Sequence, residues 1–188
     1  DPKSITTEWI KDFRKLSTSS DGPIRAQSIL KETGVILIIE PHLPGTHLDG
    51  AAMLLNSETP IIGLTLRYDR LDNFWFVLFH ELFHVVKHLR KDKLEYIYDD
   101  LESEDNLEGI EKEADELASE ALISSEEWSN ALPRFIQSPE SIRSFASRLG
   151  IHQAIVAGRI RNEAKNYTIL NNLVGQGEVR KQFPHVAF

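Results

Sequence analysis

The sequence predicts an α+β domain in which a small sheet of roughly three strands packs on one long buried helix and a second, amphipathic helix, followed by a helical C-terminal region. Three observations carry that expectation. Residues 73–89 (NFWFVLFHELFHVVKHL) are apolar nearly all the way round, which places that helix inside the protein. Before it, β-rich runs at 35–40, 47–55 and 60–66 are broken by Pro41, by Pro44-Gly45 and by the turn-like cluster Asn56-Ser57-Glu58-Thr59. After it, residues 110–123 carry Ile110, Ala114, Leu117, Ala118, Ala121 and Leu122 as one apolar stripe at helical spacing.

The remaining elements follow in order. Residues 5–16 and 23–33 read as short amphipathic helices, the second opened by Pro23 in its first turn and closed by Gly34. Asp69, Arg70 and Asp72 precede the long helix; Asp72 is the expected N-cap, and Arg70 is either structural or a solvated charge. The stretch 91–109 is too charged to pack and is expected to cross the surface as a loop, with a short element at 94–98. Further short helices are expected at 125–131 and 139–149 and a firm one at 152–165. The tail after Tyr167, with Gly175, Gly177 and Pro184, is expected to be partly ordered at best. The division is a core at 1–132 and a helical subdomain and tail at 133–188.

At 188 residues the chain is long enough for a substantial core. It opens without a methionine or a signal-peptide pattern, so a fragment or processed chain with something missing upstream is expected. No apolar run reaches membrane-spanning length free of charge, and no membrane partner is expected. The absence of cysteine excludes disulfides and thiolate metal sites, leaving His and carboxylate as ligands, and fits a cytoplasmic protein. The net charge of −8 argues against a surface that binds nucleic acid throughout. The charge is uneven: residues 91–116 hold 12 acidic against 3 basic side chains, and residues 134–188 hold 8 Lys or Arg against 3 Glu. Such a change of sign predicts two functional surfaces.

The long helix carries His80-Glu81-Leu82-Phe83-His84, an H-E-x-x-H sequence. Histidines four apart lie one turn above each other on a helix, so both imidazoles can reach one ion. Glu81 stands beside them where a carboxylate can act as general base, the arrangement of zinc peptidases. Burying two imidazoles and a carboxylate is costly unless something satisfies them, and a metal satisfies all three. The competing reading is a pair of core histidines bonded to backbone.

A catalytic zinc needs a third protein ligand and an open position for water, whose pKa it lowers toward ~7. Measured from the apolar stripe of the second helix, Glu111 lies roughly 60° to one side and Glu113 roughly 100° to the other. Glu111 is the expected ligand and Glu113 the alternative, whose simpler reading is a solvated helix face, as for Glu116. Asp115, one turn beyond Glu111, is placed to orient a ligand imidazole. The ion is expected to be Zn²⁺, with Mn²⁺ the other possibility for a His₂Glu set. A second electrophile should help hold the developing oxyanion; Tyr96, Tyr98, His88 and His152 are the candidates, each with an ordinary structural reading beside it. His88 shares the face of His80 and His84 but sits a turn too far along to bind the same ion. A strand edge, at 47–55 or 60–66, is expected to bind substrate as an added strand.

Phe145-Ala146-Ser147-Arg148-Leu149-Gly150-Ile151 followed by Val156 has helix-turn-helix spacing, with Arg159 and Arg161 on or just past the second helix. It reads as a DNA- or repressor-binding surface or, preferably, as a plain helical corner packed on the core, because the signature is short.

HELFH followed by EKEADELASEAL resembles the ImmA/IrrE metallopeptidase family, whose pattern is HExxH and then an E-x-E-A-(N/D)-x-(F/L)-A helix. LDGAAMLLNSETPIIGLTLRYDRLDNFWFVLFHELFH is similar to the two strands and helix that lead into that site. IHQAIVAGRIRNE resembles the C-terminal part of members fused to an upstream helix-turn-helix domain of the XRE type. The likeness covers most of residues 35–165. Phe83 stands where the family has Gly, which bears on site access, and Ala118-Ser119-Glu120 replaces part of a more apolar run. The resemblance implies a gluzincin-like zinc core on which His80, His84 and Glu111 hold the ion and Glu81 serves as base. It further implies a protein substrate, a DNA-binding transcriptional repressor, cleaved in stress response or mobile-element control. It also implies an N-terminal DNA-binding domain upstream that this sequence lacks, and DNA contact is expected through that domain or the basic C-terminal region. Two other readings stand beside it: a non-catalytic regulatory module (an antitoxin or transcriptional regulator) that keeps the fold, and a structural zinc site. An intact Glu81 argues against the first, and a structural site wants four protein ligands where three good ones are found.

Overall fold

The computed structural model describes residues 2–42, 44–56, 58–89 and 104–188. Helix α1 (Thr7–Phe13) begins where Thr6 Oγ1 accepts the Trp9 N–H at 3.2 Å, and a 3-10 segment, Arg14–Thr18, continues it. Helix α2 (Gly22–Thr33) ends on Gly34, whose φ of 90° lies in the left-handed region open to glycine.

Strands β1 (Ile36–Ile39), β2 (Gly50–Leu55) and β3 (Thr59–Leu64) form one mixed sheet in the order β1-β3-β2. β1 runs parallel to β3 and β2 antiparallel to it, with Ile36 opposite Ile61 and Gly50 opposite Leu64. The three expected strands are therefore present, the second starting only at Gly50.

Helix α3 (Leu71–Phe83) is the centre of the molecule, with Trp75, Leu78, Phe79, Leu82 and Phe83 completely buried. Asn73, Phe76, Val77, His80 and His84 are only half-buried. They repeat at helical spacing, so the core takes the rest of the helix and leaves this one stripe open. The helix passes into a π-helical turn, His84–His88, closed by the Leu89 N–H on the His84 carbonyl at 2.9 Å.

Asp72 is not the N-cap. Arg70 occupies that position, and Asp72 lies inside the first turn with its Oδ1 accepting from Arg70 Nε at 2.9 Å. A side-chain cap is unnecessary because the N–H groups of Leu71 and Asp72 donate to the carbonyls of Gly175 and Val174, both at 3.3 Å. Arg70 is accordingly structural, its side chain 15% exposed in the Asp72 pair.

Helix α4 (Glu104–Leu122) starts earlier than expected, so 104–109 is helical rather than loop. Residues 90–103, including the expected element at 94–98, lie outside the described residues. The alanines Ala114, Ala118 and Ala121 are buried, and small side chains there let α4 approach α3 closely. Then come α5 (Ser125–Ser129), an unforeseen single turn α6 (Leu132–Phe135), α7 (Pro139–Leu149) and α8 (Gln153–Glu163).

The α7–α8 corner turns at Gly150, φ 65°. Helix α8 packs on α3 and buries Ala154, Ile155, Val156, Ala157, Ile160 and Arg161, so this face of the corner is part of the core. At the crossing, a Cβ on Gly158 would lie 2.8 Å from Asp72 Cβ, so this position needs glycine for the two backbones to approach.

The tail after Tyr167 is docked, contrary to expectation. Leu173, Val174, Val179 and Phe183 are all buried. Asp69 Oδ1 accepts the N–H groups of Val179 at 3.0 Å and Arg180 at 2.9 Å, and Arg180 Nη2 donates to the Leu66 carbonyl at 2.9 Å. The tail thus supplies both the cap of α3 and part of its core. No helix among the described residues is long and apolar enough to cross a membrane.

Candidate metal centre

The open stripe of α3 faces one side of α4, and the two helices converge on three groups that can hold an ion: His80, His84 and Glu111. The Nε2 atoms of the two imidazoles are 2.9 Å apart. Glu111 Oε2 is 3.1 Å from His80 Nε2, and Oε1 is 3.4 Å from His84 Nε2. Ligand atoms at roughly 2.0–2.1 Å from a tetrahedral zinc stand roughly 3.3 Å from one another, so this triangle needs little movement to accept the ion. The donor set is equally suitable: two imidazole nitrogens and a carboxylate suit a borderline divalent ion.

The orientation of His80 is fixed from behind. Its Nδ1 lies 2.8 Å from Asp115 Oδ1, leaving Nε2 for the ion. Burial opposes protonation of His80, but the Asp115 bond and the charges of Glu81, Asp115 and Glu111 outweigh it and its pKa is raised. His84 goes the other way. Burial, with the neighbouring His80 and His88, outweighs Glu111 and brings its pKa down to about 4, which keeps a ligand imidazole neutral. Glu111 and Asp115 are 59% and 58% exposed, so the carboxylates close the site from the solvent side and the histidines from the core side.

Glu81 is 5% exposed. Burial, strengthened by the nearby Glu111 charge and only partly offset by His80, raises its pKa to about 7. Among the described residues no hydrogen bond ties its carboxylate. Opposite it is Gly50, the first residue of β2: a Cβ there would stand 2.6 Å from Glu81 Oε1 and 2.7 Å from Val77 Cγ1. Nothing in the motif pointed to Gly50; a glycine opening a strand upstream of HExxH is its only sequence trace. Phe83 is completely buried in the core.

A cleft of about 300 Å³ lies along the open stripe of α3 towards its N-terminal end; it shares Asp115 with the site but is lined by none of His80, His84, Glu111 or Glu81. Phe76 and Val77 from α3, Leu122 and Ile123 at the end of α4 and Ile155 from α8 give it apolar walls, while Asp49, Asp115 and Arg159 are among its polar groups.

The other candidates are scattered. His88 contacts His84 and Glu113, at 3.0 and 3.4 Å, and not the ion-binding triangle. His152 caps α8, its Nδ1 accepting the Ala154 N–H at 3.1 Å, with its pKa lowered by burial and its own N–H on Ser17 Oγ. Tyr96 and Tyr98 lie outside the described residues.

Comparison with known families matches residues 33–161, 129 of the 188, to the IrrE N-terminal-like domain of the M78 peptidases. The match spans β1 to α8 and therefore every element that builds the site; the chain belongs to that family. No curated protein and no solved structure gives a match.

Proposed function

We propose that this member of the IrrE N-terminal-like peptidases is a zinc-dependent endopeptidase whose substrate is a protein, specifically a DNA-binding repressor of stress-response or mobile genes. One observation carries the peptidase reading: a buried Glu81 carboxylate, without a hydrogen bond among the described residues and with its pKa near 7, beside the converging His80, His84 and Glu111. His80, His84 and Glu111 would hold the ion, and a zinc so held polarises a peptide carbonyl and acidifies a water molecule.

The chain's own residues do the rest. Asp115 holds the His80 ring with Nε2 forward. Glu81 in its ionised form takes the proton from the attacking water and passes it to the leaving amine; a pKa near neutrality suits both transfers. Strand β2 is an edge strand whose first residue abuts Glu81. A substrate segment added to its free edge would run past the base, with the cleft beside α3 available to a side chain.

The test has two stages. Purified wild type should carry one zinc per chain, lost in His84→Ala and in Glu111→Ala. Incubated with a candidate repressor, wild type should cleave it and Glu81→Gln should not. Equal cleavage by both proteins would overturn the mechanism, and zinc binding without any proteolysis would favour the non-catalytic regulatory module.

A further inference from the structure

We propose that His88 and Glu113 are a positioning pair that fixes the ring of His84, as Asp115 fixes that of His80. The proposal rests on the metal site described above and adds two residues to it. The sequence alone suggests an oxyanion role for His88 and a solvated helix face for Glu113. The geometry assigns them a different task.

His88 Nδ1 lies 3.0 Å from His84 Nδ1, and His88 Nε2 lies 3.4 Å from Glu113 Oε2. His88 is 8% exposed, so water does not readily replace these partners. A single arrangement of protons satisfies the chain. If His84 offers Nε2 to an ion, its proton sits on Nδ1 and is donated to His88 Nδ1. The His88 proton must then sit on Nε2, where the Glu113 carboxylate accepts it. With the opposite tautomer of His84, a His88 protonated on Nε2 would set two bare nitrogens against each other at 3.0 Å, and a His88 protonated on Nδ1 would turn a bare Nε2 towards the Glu113 carboxylate.

The local backbone supports this reading. His84 and His88 begin and end the π-helical turn, a conformation seldom sustained in proteins and frequent at functional sites. The wider turn moves His88 around the helix relative to an α-helical continuation, and the two rings lie with centroids 4.9 Å apart. Helix α4 contributes from both sides of its alanine stripe: Glu111 and Asp115 reach His80 and His84 on one side, and Glu113 reaches His88 on the other.

The experiment uses the full chain, with Zn²⁺ titrated against a chelator of known affinity and Co²⁺ as a spectroscopic probe. His88→Phe keeps an aromatic ring and removes both bonds; zinc affinity should fall about 10–100-fold and the visible Co²⁺ spectrum should change. His88→Gln can still accept from His84 and donate to Glu113, and should recover most of the affinity. His88→Phe that binds zinc as tightly as wild type, with an unchanged Co²⁺ spectrum, overturns the proposal. If that variant does not fold, Glu113→Ala decides, since this side chain is 57% exposed. A several-fold loss of zinc affinity supports the pair, and none overturns it. Wild type that takes up no zinc overturns the metal site itself, an outcome distinct from a wild type that binds and variants that bind equally well.

Discussion

The backbone of Gly50 meets Glu81 so closely that a Cβ at position 50 would stand 2.6 Å from the carboxylate Oε1 and 3.0 Å from Cγ. The first residue of the edge strand and the general base of the proposed mechanism are thereby held in fixed relation. Gly50→Ala forces the Glu81 side chain, Val77 or the strand to move, at an overpacking cost of about 1–3 kcal/mol. Because the nearest atoms that the added Cβ would meet belong to Glu81 and Val77 and not to His80, His84 or Glu111, zinc content should stay at the wild-type level while turnover falls at least ~10-fold, since general-base catalysis depends on placement. Metal analysis and kinetics on the same preparation check this. Loss of zinc together with activity would place Gly50 in the metal site's support instead.

Glu81 sets a second expectation. Its carboxyl is raised to about 7, mainly by burial. As a base it works only when ionised, so the rate should climb as pH rises through its pKa. A bound divalent cation favours the ionised form and shifts that acid limb below 7. Glu81→Gln should retain zinc and lose ~10²–10⁴-fold in rate, and any residual activity should lack the limb. The pH–rate profile of wild type and variant is the measurement; an identical limb in both would assign it to another group.

The parts of this protein that were legible in the sequence are those governed by local periodicity. The spacing of His80 and His84 on an apolar helix, the stripe Ala114–Ala118–Ala121 with Glu111 and Asp115 beside it, and the three β-rich runs all follow from 3.6- and 2-residue repeats. What escaped was nonlocal or out of phase. The cap of α3 comes from carbonyls at Val174 and Gly175, a hundred residues away, so no pattern near Asp72 reveals it. The contact between His88 and Glu113 depends on a π-helical turn, which breaks the phase from which a helical wheel is drawn. Gly50 is required by a side chain thirty-one positions further on, and only the folded chain shows the collision.

The docking of the tail leaves no local signal, because Leu173, Val174, Val179 and Phe183 follow no helical or strand period and lie among glycines and polar residues. Their burial predicts that Phe183→Ala costs about 3–5 kcal/mol, the usual range for a buried Phe. Asp69→Ala should also destabilise, by leaving the N–H groups of Val179 and Arg180 without their acceptor. Urea unfolding of each variant measures both effects. A Phe183→Ala protein as stable as wild type would mean that the tail contributes nothing to the core.

The last prediction concerns the contact between α5 and the segment after α1. Arg14 holds Glu127 through two bonds, Nη2 to Oε1 at 2.9 Å and Nη1 to Oε2 at 3.0 Å. Glu127 also completes a capping box at the start of α5, accepting the Ser124 N–H at 2.8 Å while its own N–H donates to Ser124 Oγ at 3.1 Å. The Arg14 bond and the cap together take its pKa from 4.5 down to about 2, against the effect of burial. The side chains are 16% and 28% exposed, so solvent screens the pair only in part. A carboxylate whose folded pKa is depressed adds stability that is complete above its unfolded pKa of 4.5 and disappears as pH falls toward 2. At about 1.4 kcal/mol per pKa unit the contribution is of the order of 3 kcal/mol at neutral pH. Glu127→Gln should therefore destabilise at pH 7 by about 2–3 kcal/mol and progressively less below pH ~4.5, so the two unfolding curves converge in acid. An undiminished gap at low pH would show that the residue acts through packing or the neutral cap and not through its charge.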